Sequence, residues 1–112
     1  MARLIYKILS AAEWQAAERD GIFRGAGIDL SDGYIHFSTA EQAAETAAKH
    51  FAGKSDLVLV AVDAEKLGGA LKWEVSRGGA LFPHLYGALP TRDALWVKPL
   101  PLGADGKHIL PR

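Results

Sequence analysis

The chain has 112 residues, 13 basic and 13 acidic, so its formal charge balances, and it carries no cysteine. One domain with a single core is expected at this length, and the balanced charge leaves no overall field for bulk nucleic acid or an anionic membrane. The lack of cysteine excludes disulfides, thiolate metal sites and a cysteine nucleophile. The four histidines, His36, His50, His84 and His108, are scattered and match no metal-ligand spacing, so no metal is expected. No stretch approaches a membrane span, which predicts a cytoplasmic protein.

Residues 3 to 9 alternate weakly, as a strand buried on much of both faces does, and Lys7 stands out within it. Ser10 and Glu13 form a capping box for a helix that runs to about Asp20 and stops at Gly21, with Trp14 facing inward. Residues 22 to 33 have three glycines and two aspartates without periodicity, and read as a long ordered loop closed by an Asp32-Gly33 turn. Tyr34 to Ser38 is the next strand, Ile35 and Phe37 on one face and Tyr34, His36 and Ser38 on the other. Two overlapping boxes, Ser38 with Glu41 and Thr39 with Gln42, announce an alanine-rich helix ending near Gly53. Asp56 to Asp63 is a near-continuous apolar run, the pattern of a central strand. Leu89 to Ala94 reads as a connection or one helical turn, Leu95 to Lys98 as a last strand, and the tail from Pro99 carries no regular pattern.

The stretch from Leu71 to Gly87 is the least explained by packing. Leu71, Trp73 and Val75 alternate with Lys72, Glu74 and Ser76, as in a half-buried strand. Gly78-Gly79 turns the chain, and Phe82-Pro-His-Leu-Tyr86 crowds an imidazole and a phenol next to a carboxylate. Pro83 cannot donate to a central ladder, so this second half is expected at a sheet edge or in a loop. The polar residues of the three strands oppose the best apolar stripes: Lys7, then Tyr34, His36 and Ser38, then Lys72, Glu74 and Ser76. If these strands are neighbours, they line one cleft. No nucleophile elbow, dinucleotide fingerprint or phosphate loop is present.

Together, Ile5-Tyr-Lys-Ile8, Gly33-Tyr-Ile-His-Phe-Ser-Thr39, Leu57-Val-Leu-Val60, Leu71-Lys-Trp-Glu74 and Gly79-Ala-Leu-Phe-Pro-His-Leu-Tyr-Gly87 closely resemble the bacterial domain-of-unknown-function 952 family. That family's fold is thought to be similar to ADP-ribosyltransferases. The resemblance implies a single α+β domain, a split mixed β-sheet with two main helices, around a cleft for NAD as substrate. It also implies roles. Glu74 is the candidate catalytic carboxylate, stabilising positive charge that develops at a ribose, and His36 is placed with it. Lys7, Tyr34, Ser38, Thr39, Phe82, His84 and Tyr86 are the ligand-binding candidates, for an ADP-ribosyl group or a related nucleotide.

Two rival readings use the same residues. One is a binding module for a small anionic metabolite or nucleotide end, held by Lys7, Lys72, Arg77 and the amides before the helix at Ser38. The other is a protein-interaction domain that presents a Phe82 to Tyr86 loop.

Overall fold

The structure is a computed structural model that describes residues 3–111, apart from the side chain of Arg77. Its first sheet is built from β1 (Leu4–Ser10), β4 (Leu57–Asp63) and β8 (Ala94–Pro99), with β4 in the middle. The apolar run of β4 explains that place, since Val60 and Val62 pack into the main core while Leu57 and Leu59 pack into a second, smaller one. Burial on both faces is what a strand without polar alternation requires.

α1 (Ala11–Asp20) follows β1 directly. The Ser10 hydroxyl accepts from the Glu13 amide at 3.0 Å, and the Glu13 carboxylate accepts the Ser10 amide at 3.2 Å. Both halves of the capping box are therefore made. Trp14 and Ala17 are the buried face of this helix. β2 (Ile22–Phe23) then pairs with β7 (Leu89–Pro90), and α2 (Ile28–Asp32) follows. The expected long loop is thus a short strand and a short helix. A two-residue strand and a five-residue helix are too brief to leave a period in the sequence.

The third group of strands is β3 (Ile35–His36), β6 (Leu81–Leu85) and β5 (Leu71–Val75), with β6 between the other two. The expectation that the Phe82 to Tyr86 segment forms an edge or a loop is therefore corrected. Pro83 sits opposite Trp73, and its carbonyl accepts from the Phe37 amide at 3.0 Å. In an antiparallel strand the amide of a residue points the same way as its carbonyl, so the missing N–H faces β3 and costs β5 nothing. It also ends the β3 ladder. Released after Phe37, the chain crosses to the first sheet, where Ser38 and Tyr6 exchange backbone hydrogen bonds of 2.8 and 2.9 Å.

That crossing joins the two larger sheets and brings Lys7 beside His36. Every strand pairing among the described residues is antiparallel, so the mixed sheet expected from the family resemblance is corrected as well. The domain is α+β. α3 (Ala40–His50) starts at Thr39, whose hydroxyl accepts the Gln42 amide while the Gln42 side chain accepts the Thr39 amide. Of the two overlapping boxes only this one forms, because the backbone of Ser38 is still engaged in the bridge to β1. Among the described residues no helix is long and apolar enough to cross a membrane.

Candidate functional site

One cavity of about 370 Å³ opens where β1, α2, the end of β3 and α3 meet. It lies near the lower bound of small-molecule pockets, which run from about 300 to 1,000 Å³. Lys7, Asp29, His36, Ser38, Thr46 and His84 supply its polar wall, while Tyr6, Ile8, Phe51 and Phe82 supply an apolar one.

The floor of the polar wall is Asp29, which is only 3% exposed. Its carboxylate accepts from Lys7 Nζ at 2.8 and 3.0 Å, from His36 Nδ1 at 2.6 Å, and from the amides of His36 and Ala26, both at 3.0 Å. Burial pushes this carboxyl up, but His36, Lys7 and the Ala26 amide outweigh it and hold it at about 2. Lys7 moves below the ordinary lysine value because burial opposes its charge more than Asp29 and Glu13 support it. His36 is engaged at its other nitrogen too, since Nε2 lies 3.0 Å from Asp32 Oδ2. Both ring nitrogens therefore face carboxylate oxygens, which leaves neither turned to the cavity.

Local backbone makes this floor possible. Gly25 has φ 123°, and a Cβ there would stand 3.0 Å from the Asp29 Cβ. Only a glycine allows the chain to return so closely on itself. Gly33, with φ 84°, ends α2 and sends the chain into β3.

The second polar group is arranged around His84, on β6. His84 Nδ1 is 2.8 Å from Glu74 Oε1, and the same oxygen accepts from the Tyr86 hydroxyl at 2.8 Å. These hydrogen bonds, that to His84 first, hold the Glu74 carboxyl below its ordinary value. The bond to Glu74 pushes the Tyr86 phenol up to about 12. A carboxylate at Nδ1 keeps a proton on that nitrogen and orients the ring. Among the described residues Nε2 has no partner, whereas the one fully buried side-chain atom without a partner is Trp14 Nε1. His84 is one of the residues that line the cavity.

Tyr34 covers both groups. Its ring centroid lies 4.6 Å from that of His36, 4.2 Å from that of His84 and 5.1 Å from that of Tyr86. Burial, then the charges of Asp32, Glu74 and Asp29, raise its phenol above the ordinary value.

Lys7, His36, Ser38, Phe82 and His84 of the expected residues line the cavity, and Tyr34, Thr39, Glu74 and Tyr86 do not. Thr39 has a structural role as the α3 cap, and its amide goes to Gln42. It is not an open anion site. Ser38 turns its hydroxyl to Thr46 Oγ1 at 2.8 Å. The side chain of Arg77, an anion-binding candidate, lies outside the described residues. Asp29 and Thr46 escaped the sequence reading. A lysine in the middle of an apolar strand was the available signal, because a buried lysine needs an anion. Among the described residues no group of three or more His, Asp or Glu side chains could hold a metal ion.

The family described as a protein of unknown function, DUF952, matches residues 8–97. The chain belongs to that family. It is similar to the crystal structure of CC0527 from Caulobacter crescentus, with 58% identity and a TM-score of 0.92 over 96% of this chain and 94% of that one. A doubly substituted form of CC0527 matches over the same shares with 57% identity and a TM-score of 0.92. The solution structure of CC0527 matches with 59% identity and a TM-score of 0.84, over 93% of this chain and 90% of that one. No match is found among curated proteins.

Proposed function

We propose that the cavity binds a nucleotide end of the ADP-ribosyl class, with His84 as the group that takes or gives a proton and Glu74 as the carboxylate that orients it. The ligand class is carried over from the resemblance to ADP-ribosyltransferases that the sequence motifs imply. The observation that carries the chemistry is the setting of His84: Nδ1 is held by Glu74 at 2.8 Å, Nε2 makes no hydrogen bond among the described residues, and the residue lines the cavity. An imidazole arranged in this way is suited to general acid–base work on a bound hydroxyl.

Glu74 acts through His84 in this reading, not directly on a ribose, because it stands outside the cavity lining. His36 likewise becomes a positioning residue, since carboxylates occupy both its nitrogens. Lys7 adds little net pull on an anion while Asp29 balances it. Lys54, which lines the cavity and lies over the Phe51 ring at 5.7 Å, is the cation placed for a phosphate. A cavity of about 370 Å³ suits one nucleotide half, so NAD would extend beyond its mouth.

The test is ligand-detected NMR of the protein with NAD, ADP-ribose, AMP, nicotinamide and an RNA 2′-phosphate end. Saturation transfer to an adenine-bearing ligand that His84→Ala abolishes is the expected result. Incubation with NAD then separates turnover from recognition alone. Silence across the panel with a folded protein overturns the reading.

A further inference from the structure

β5 is the outer strand of the β3–β6–β5 sheet, and its far edge has no strand partner among the described residues. Hydrogen-bond parity decides what this edge offers. The Ser76 amide donates to the Ala80 carbonyl at 2.9 Å, and the Tyr86 amide donates to the Ala70 carbonyl at 2.8 Å. In an antiparallel ladder these bonds alternate, so Lys72 and Glu74 turn their backbone groups toward β6 while Leu71, Trp73 and Val75 turn theirs outward. The Leu71 amide is already given to the Gly68 carbonyl. The Val75 carbonyl also faces outward but meets no free amide in a pairing, since that of Leu71 is taken; the groups that can pair are the Leu71 carbonyl, both backbone groups of Trp73, and the Val75 amide.

That set is self-complementary. We propose that two copies of this chain associate through β5, antiparallel and in register at Trp73, in a two-fold pairing that continues the sheet. Trp73 then exchanges both bonds with Trp73 of the partner subunit, and the Val75 amide meets the carbonyl of the partner's Leu71, in both directions. About four backbone hydrogen bonds form.

Charge specifies the register. Centred on Trp73, the pairing sets Lys72 against the partner's Glu74, and Glu74 against the partner's Lys72, so opposite charges meet twice across the join. A slip of one residue turns the wrong backbone groups to the partner. Re-centring on Glu74 or on Lys72 sets like charges directly opposite each other.

Apolar exposure agrees with this. Val75 is 70% exposed, and in the pair it gains the partner's Leu71 as a cross-strand neighbour. The edge of β8 is differently built: its ladder shifts register at Ala61 and Val62, and its strand ends in Lys98 and Pro99, which are devices that discourage edge pairing. In β5 the edge lysine finds a glutamate at the matching place.

The pairing does not depend on what the cavity binds. It does bring the partner's Lys72 to Glu74, the residue that holds His84, so each site acquires a cation from the other copy.

Sedimentation velocity from micromolar to millimolar concentration tests the proposal. The mass should rise from 12.0 kDa toward twice that value. Lys72→Glu and Glu74→Lys, each alone, set like charges opposite twice and should need at least ~10-fold higher concentration to associate, if each pair is worth close to ~1 kcal/mol. An equimolar mixture of the two variants restores both opposite-charge pairs and should associate as the parent does. Val75→Pro removes an outward amide without touching the charges or the bonds to β6, and should also weaken association. A parent chain that stays at 12.0 kDa throughout overturns the proposal. So does undiminished association of Lys72→Glu, or a folded mixture that stays monomeric.

Discussion

Two polar clusters stand side by side on one face of the β3–β6–β5 sheet, and they differ in what they leave over. Around Asp29, Lys7 and both nitrogens of His36 are bound by carboxylates. Around Glu74, the carboxylate holds His84 and Tyr86 by one oxygen, and one imidazole nitrogen stays open. The ring centroids of His36 and His84 are only 5.3 Å apart, so the difference lies in partners and not in place. A fully engaged cluster serves to fix α2 and β1 against β3. A cluster with one unpaired nitrogen, on a residue that lines the cavity, is the one equipped to meet a ligand.

The largest effect should come from breaking the closed cluster. Asp29→Asn leaves Lys7 buried without its anion, a change that typically costs about 3–5 kcal/mol. Urea unfolding should show that loss at neutral pH. Acid sharpens the same point. The folded Asp29 titrates at about 2, below its ordinary 3.8, so its contribution is complete above roughly pH 4 and is lost as pH falls through 2. The linkage is worth ~2 kcal/mol, and it should be absent from the acid profile of Asp29→Asn. A variant profile that still fell by the same amount would remove Asp29 from its place at the centre of the cluster.

Gly25→Ala attacks the backbone beneath that cluster. The added Cβ meets Asp29 and forces a left-handed residue to carry a side chain. A loss of about 1–3 kcal/mol is expected, with shifts in the amide resonances of Ala26 and His36, which bond to Asp29.

In the open cluster the pattern should reverse. His84→Gln should weaken binding of ADP-ribose by at least ~10-fold, an effect of about 1.4 kcal/mol or more, with a smaller change in unfolding free energy than Asp29→Asn. Glu74→Gln should weaken it less and leave the melting temperature within ~4 °C. Large destabilisation by either would make this cluster structural like its neighbour. Trp14→Phe should give the smallest effect of all. It loses packing against Phe23 but removes the buried, unpartnered Nε1, and a net change within ~1 kcal/mol is expected by unfolding.

Much of this frame is legible in the sequence because it rests on local patterns. The capping boxes at Ser10 and Thr39, the glycine stop at Gly21 and the apolar β4 each depend on residues a few positions apart. The polar faces of β1, β3 and β5 are legible as well, and the structure sets Lys7 and Ser38 in one cavity wall with His36. What the sequence hides is long-range pairing. Pro83 reads as an edge signal, yet its neighbour toward β3 leaves after Phe37, so a central strand tolerates it. Asp29 is hidden because α2 is too short to show a period, and its partners Lys7 and His36 lie 22 and 7 residues away. Glu74 is found as a notable carboxylate, but only the geometry shows that His84 stands between it and the cavity.

The most direct measurement is the pair of imidazole spectra. Nitrogen-15 correlation NMR resolves the ring nitrogens of His36 and His84, and ADP-ribose can be titrated into the labelled protein. His84 Nε2 should shift with saturation while both His36 nitrogens stay within their carboxylate-bonded positions. Saturable shifts at His36 with His84 silent would contradict it, and would move the reactive group to the cluster described here as closed.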